Sequence, residues 1–279
     1  MSSIVETIGG GGANSACAAA ALGADVRFLG KVGADLLGER LRLTLERQGV
    51  RAALARDPEQ QTGSTVALGL SDGQRHFLSC LPNNDTLRLE NLDLGALDGC
   101  GHLLRADVWF SEAMLEGGNR RLLAEARRRG LATSLDINFD PRWSGGNSRE
   151  IRRRKLALRG VLELVDLVHG NRRELCAFTD SPSLPTALKR LIEWGAQSVV
   201  VHLGAQGAGW YSGSRWMMEP PCRAVRPIHS TGCGDVLSVC MILLHTRTDL
   251  SPREKLRLSN RVVRDFMEGR LDLIPELAS

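Results

Sequence analysis

From residue 103 onward the chain alternates short Val- and Leu-rich runs with amphipathic stretches, and this alternation restricts the fold more than any other feature. Candidate strands cover 106–110, 132–137, 167–169, 198–203 and 209–212. Candidate helices cover 119–129, 149–164, 172–178, 184–194, 235–245 and 252–268. Strands that are apolar throughout need cover on both faces, and strands separated by helices are joined in parallel. The pattern predicts an α/β fold: a three-layer α/β/α sandwich around a mostly parallel central sheet. Upstream, 13–24 reads as an Ala-rich helix closed by Gly23, 26–33 as a strand ending in glycines, and 35–48 as an amphipathic helix. Two runs, 62–70 and 74–80, flank Ser71-Asp72-Gly73, a hairpin signal. No internal repeat, low-complexity tail or Pro/Gly-rich linker divides the chain, so residues 1–279 are expected to form one domain.

Composition excludes several partners. The formal charge of +4 is small for 279 residues and gives no case for nucleic acid. Arginines dominate the basic residues, and the densest runs, 127–129 and 152–155, fall in helix-like segments without interleaved aromatics, as solvated helix faces do. Seven scattered cysteines lack C-x-x-C spacing, so neither a metal cluster nor a disulfide framework is indicated. Reduced thiols, no run long enough to cross a membrane and no signal-peptide pattern lead to the expectation of a cytoplasmic protein.

Chemistry concentrates near the end of the chain. Ser230-Thr231-Gly232-Cys233-Gly234-Asp235 leads into the apolar run Val236-Leu237-Ser238-Val239-Cys240. Glycines let backbone N–H groups converge, and a helix start adds partial positive charge at the same point. Such a loop suits an anion that gains charge during reaction, and Asp235 beside it could accept a hydroxyl proton; a helix N-cap is the plainer role for the same residue. Gly9, Gly10 and Asn14 form a second glycine-rich element, in which Asn14 offers a donor and an acceptor to paired hydroxyls or simply caps a helix. Asn171 and Glu174 follow a strand, with spacing that suits either a capping box or the ordering of waters around Mg²⁺. Gly204 and Gly207 end another strand in a turn that a nucleotide or a plain hairpin could use. Asp136 and Asn138 share one face at a third strand end, where α/β sheets bind ligands.

Taken together and in this order, these motifs resemble the ribokinase-like (PfkB) carbohydrate kinases over nearly the whole chain. The Gly9–Asn14 element, Gly30-x-x-Gly33-x-Asp35-x-x-Gly38, Asn171-x-x-Glu174, the 201–207 turn and 230–235 are similar to the family's signatures. The resemblance implies a ribokinase-like fold and an ATP-dependent phosphotransferase acting on a sugar or similar alcohol. It implies Asp235 as the base and the N–H groups of Gly232, Cys233 and Gly234 as the anion hole. It implies Gly9, Gly10, Asn14, Asp136 and Asn138 as sugar contacts, Thr231, Gly204, Gly207 and Asn260 as nucleotide contacts, and Asn171 and Glu174 as Mg²⁺ contacts through water. Residues 61–82 resemble the family's β lid, which in many members covers the sugar and joins two copies. A homodimer through the lid, with sugar and ATP as the small-molecule partners, is the corresponding expectation.

Two departures qualify the resemblance. Family members usually carry a longer segment before the di-glycine element, holding a first central strand and a substrate-binding Asp; only residues 1–8 stand here. The sheet is therefore expected to lack that strand and the sugar site a carboxylate, and a non-catalytic sugar- or nucleotide-binding homologue stays open as an alternative, as does a nucleoside kinase of the same fold. His229 stands where the signature usually has Asp, which argues against a monovalent-cation site found in some members.

Overall fold

The computed structural model describes residues 6–69, 75–226 and 231–270. In chain order the elements are α1 (Gly11–Ala21), β1 (Val26–Gly33), α2 (Leu36–Arg47), β2 (Val50–Asp57), β3 (Ser64–Gly69), β4 (Arg75–Cys80), the single turn α3 (Pro82–Asp85) and β5 (His102–Arg105). There follow α4 (Asn119–Arg128), β6 (Ala132–Asp136), α5 (Ser148–Arg159), β7 (Leu167–Asn171), α6 (Arg172–Thr179), α7 (Leu184–Glu193) and β8 (Ser198–His202). The described chain closes with β9 (Ala208–Ser212), β10 (Arg215–Glu219), α8 (Cys233–Leu243) and α9 (Pro252–Met267).

Six strands form the central sheet in the order β10-β9-β8-β7-β6-β5. β5 to β8 are parallel, and β9 and β10 are antiparallel additions. Side chains alternate across it, as strand geometry requires. Leu135, Val168, Val199 and Val201 point into one core with Leu123, Leu158, Phe178 and Leu188 from α4 to α7. Leu167 and Val200 point the other way, against Leu237 and Met241 of α8 and Leu256 of α9. That is the expected three-layer sandwich. Among the described residues no helix is long and apolar enough to cross a membrane, and none of the seven cysteines is in a disulfide.

Two local differences from expectation have physical causes. The strand expected at 106–110 lies earlier, at β5. Val108 and Trp109 are apolar and fully buried because the loop after β5 folds into the core, where the Trp109 indole donates to the carbonyls of Ile137 and Asn138. β2, by contrast, carries too few β-branched residues to announce itself, and gains its place by parallel pairing with β1 along its whole length.

The β1–β2 pair is a sheet of its own, not hydrogen-bonded to the six-stranded one among the described residues. The β3–β4 hairpin is a third, with Val66, Phe77 and Leu78 more than half exposed. Residues 70–74, which hold the expected Ser-Asp-Gly turn, lie outside the described residues. Asp35 ties the two-stranded parts together. Its carboxylate caps α2 through Gly38 N–H at 2.8 Å and accepts from the Thr62 N–H and hydroxyl, both at 2.7 Å, at the root of the hairpin. A side chain at Gly33 or Gly38 would collide with backbone, at 2.6 and 2.4 Å respectively, so the Gly-x-Asp-x-x-Gly spacing is a packing requirement.

Candidate active site

The carboxyl ends of β5, β6, β7 and β8 open on the same side of the sheet, where ligands of α/β proteins bind. The N-terminus of α8 comes up against this side. Gly232 caps that helix in the left-handed region, at φ 89°, a conformation that costs glycine little. The first-turn N–H groups that follow it, from Cys233 to Asp235, precede the first intrahelical bond, made by Val236 to the Gly232 carbonyl at 2.9 Å. A backbone so arranged is an anion site. Thr231 precedes it and is exposed. Ser230 and His229 lie outside the described residues.

Asp235 stands in the first turn of α8, half-buried. One carboxylate oxygen, Oδ2, accepts from Asn14 Nδ2 at 2.9 Å. Burial lifts its pKa to about 6; the Asn14 bond works against the rise, and the nearby Asp107 and Glu174 charges add to it. The expected sugar contact Asn14 is thus first of all the residue that holds the Asp235 carboxylate.

The glycine element approaches the same point, two residues later than expected. Gly9 has open space around it, whereas a methyl built on Gly11 would stand 3.4 Å from Asp107 Oδ1, 3.6 Å from Asp235 Oδ1 and 3.7 Å from Asn138 Nδ2. Gly10 caps α1 with φ 93°, and Gly12 N–H donates to Asp107 Oδ2 at 3.0 Å. Asp107 and Asn138 end neighbouring strands, both with positive φ, at 52° and 41°. The Asp107 N–H donates to Asn138 Oδ1 at 3.2 Å, locking the two loops together. Sequence reading places Gly11 and Gly12 within the glycine-rich element without giving them a contact, and misses Asp107. A lone Asp after a strand has no local signature, and its partner glycine is 95 residues away.

Asp136 and Asn138 were expected to act side by side, and the structure separates them. Asn138 reaches the wall of the site. Asp136 is only 3% exposed, with Oδ1 unpartnered among the described residues. Burial, with the charges of Glu174, Asp235 and Asp107 behind it, pushes its pKa well above the usual carboxylate range.

Asn171 and Glu174 form a reciprocal capping box at the start of α6, with N–H···O distances of 2.9 and 2.7 Å. Among the described residues no three His, Cys, Asp or Glu side chains are grouped to hold a metal directly. Gly204 faces open space, but Gly207 packs where any side chain would meet the Glu219 carbonyl at 2.1 Å. Asn260 is 5% exposed, and its amide donates to the carbonyls of Glu219 and Pro220 at 3.1 and 2.8 Å. Gly207 and Asn260 therefore meet on one segment, shaping a corner of the fold from its inside.

Comparison with known proteins agrees with this geometry. The profile of the pfkB family carbohydrate kinases matches residues 1–251. A fructokinase from Vibrio alginolyticus is 29% identical over 239 residues, covering 84% of this chain and 75% of the relative. An aminoimidazole riboside kinase from Salmonella typhimurium is 26% identical over 251 residues, covering 84% of this chain and 72% of the relative. A solved structure of a fructokinase from Xylella fastidiosa with bound ATP shares the fold, with a TM-score of 0.81 at 21% identity over 96% of this chain and 88% of that one. A family profile that spans nine-tenths of the sequence, on a fold shared with a solved fructokinase, leads to one conclusion: the chain belongs to the pfkB family of carbohydrate kinases.

Proposed function

We propose that the protein transfers a phosphoryl group from ATP to a hydroxyl of a sugar or sugar-like alcohol. The observation that carries this is the pairing of Asp235 with the α8 N-terminus: a carboxylate with one oxygen held by Asn14 stands in the first turn of a helix capped by the left-handed Gly232. An alcohol is a poor nucleophile until its proton has somewhere to go, and Asp235 Oδ1, facing the space beside Gly11, is where it goes. The N–H groups of Gly232, Cys233 and Gly234 stabilise the phosphoryl oxygens without reorganising. Asn138 and the Gly10–Gly12 backbone fix the alcohol in line.

The residues fit ATP with Mg²⁺. Asp107, Asp136, Glu174 and Asp235 influence one another electrostatically and gather at this end of the sheet, and neither Asp136 nor Asp235 has a cationic side-chain partner among the described residues. Mg²⁺, when bound, supplies the positive charge that offsets the phosphates. Glu174, with Asn171, is the group placed to hold its waters, while their capping box keeps the start of α6 in place. Gly204 and Thr231 are the nucleotide contacts of this reading, with Gly207 and Asn260 acting from behind. For the lid we propose that the exposed apolar hairpin β3–β4 is covered by the hairpin of a second copy, since two strands alone are barely stable in water. The likeness to a riboside kinase makes a nucleoside acceptor the second reading.

An ATP-consumption screen over neutral sugars, sugar phosphates and nucleosides tests the proposal, with Asp235→Asn as the blank. Turnover above the blank with a sugar supports it, turnover with nucleosides alone moves it to the second reading, and none with any alcohol contradicts both. Gly11→Ala gives a sharper check of where the alcohol sits. The added methyl meets its neighbours at ordinary contact distances, and Gly11 lies in a helix with φ outside the positive range. The variant should fold at least as well as the wild type, by up to about 1 kcal/mol, yet lose roughly 10²-fold in acceptor kcat/KM because the methyl occupies the alcohol's place. Unchanged acceptor kinetics would move the alcohol away from Gly11.

A further inference from the structure

We propose that Asp107 selects the acceptor by charge, so that the site takes an uncharged or amino-bearing polyhydroxy alcohol and rejects sugar acids and sugar phosphates. The inference rests on the kinase reading for its reaction, and on the geometry around Gly11 for its selectivity.

Two carboxylates present one oxygen each to the same spot. Asp235 has Oδ2 tied by Asn14, and Asp107 has Oδ2 tied by the Gly12 N–H. The oxygens left over, Oδ1 of each, both lie within 4 Å of the place a Gly11 methyl would take, and Asn138 Nδ2 is equally close. Two acceptors and one amide suit a ligand that brings donors, as hydroxyl and ammonium groups do. An anionic substituent at that spot would face the two carboxylate oxygens.

The surroundings do not relieve this. Arg105, the cation nearest along the chain, turns its guanidinium to Asn119 Oδ1 at 2.8 Å and to the Ala106 carbonyl. Asp136, behind the wall, is almost fully buried, keeps an oxygen unpartnered among the described residues and brings no cation to the spot. Asp107 itself cannot swing aside without cost. Its left-handed backbone is held by the Asn138 side chain, and its carboxylate anchors the first turn of α1. The α8 N-terminus does favour anions, but it is the place of the transferring phosphoryl group. Rejection of a charged acceptor is a repulsive element built into the site, the usual route to specificity where attraction alone discriminates little.

The test uses the full chain and five probes: fructose and ribose as neutral, glucosamine as cationic, gluconate and fructose 6-phosphate as anionic. Turnover is measured for wild type, Asp107→Asn and Asp107→Glu, and binding of the same probes is measured by calorimetry, which is independent of turnover. In the wild type the best neutral or cationic probe should exceed both anionic ones by roughly 10²-fold in kcat/KM and in affinity. Asp107→Asn should raise KM for the neutral probe with kcat nearly kept, and shrink the neutral-to-anionic ratio about tenfold. Asp107→Glu, which keeps the charge, should keep the rejection, and it decides the matter if the Asn variant does not fold. An anionic probe preferred by the wild type, or a ratio that Asp107→Asn leaves unchanged, overturns the proposal. If no probe is phosphorylated but calorimetry shows the discrimination and its loss in Asp107→Asn, charge selection stands and the kinase reading fails.

Discussion

Asp235→Asn is expected to lower kcat by roughly 10²–10⁴-fold, the range that a positioned general base supplies, with KM for ATP little changed. The substitution keeps the shape of the side chain. It leaves the Gly232 cap and the leading N–H groups of α8 as they are, and removes only the oxygen that takes the proton. The residual rate is the contribution of the anion hole and of orientation. Steady-state kinetics with the best acceptor, at saturating ATP, measures it. A variant that turns over within a few-fold of wild type shows that the proton goes elsewhere.

The largest expected effect on stability lies at Arg154, a residue outside the reacting centre. Its side chain is 1% exposed and meets Asp140, itself fully buried, with Nε to Oδ2 at 2.8 Å. The same guanidinium reaches Glu112 and the Trp109 carbonyl. It thereby joins α5 to the two loops that carry Asp107 and Asn138. Arg154→Ala leaves Asp140 buried and unpaired, which costs about 3–5 kcal/mol. Denaturant unfolding should show this as a lower midpoint. Arg154→Met combined with Asp140→Leu should recover a large part of the loss, because replacing a whole buried pair is far less costly than breaking it. A single variant within about 0.5 kcal/mol of wild type, the scale of an ordinary surface substitution, would show the cluster to be incidental.

How much of this was readable from the residues differs from element to element. β7 and β8 were plain because buried parallel strands are apolar throughout, and Val199-Val200-Val201 serves both cores at once. α9 was plain because Ser251, Pro252 and Glu254 build its start, with a capping box and a proline in the first turn. β5 was placed too late since Val108 and Trp109 look like strand residues, whereas they are buried by a loop. The start of α8 was legible because Gly232 has a local purpose, capping the helix with a positive φ. Asn171 and Glu174 were read both ways, and the structure shows the capping arrangement directly. The partners that Asn14 and Asp107 meet could not be read from local motifs. Their roles are set by contacts across most of the chain, 221 residues in the case of Asn14 and Asp235, and no spacing within a motif records them. Asp107, two residues past β5, stands near Asp235 beside Gly11 although no N-terminal motif describes it.

The central claim is that Asp235 accepts the proton of the acceptor alcohol from the position the structure gives it, and the pH dependence of acceptor kcat/KM at saturating ATP tests this most directly. Burial raises its folded pKa to about 6. Above that value the carboxylate is ionised and competent. Below it the group is neutral, and the rate should fall about tenfold per pH unit. The Asn14 hydrogen bond favours the ionised form, so Asn14→Ala should move the same limb to higher pH. A limb near 6 that shifts upward in Asn14→Ala is the result predicted here. A limb at the ordinary carboxylate value near 4, or one that Asn14→Ala leaves in place, would contradict the assignment of Asp235 as the base.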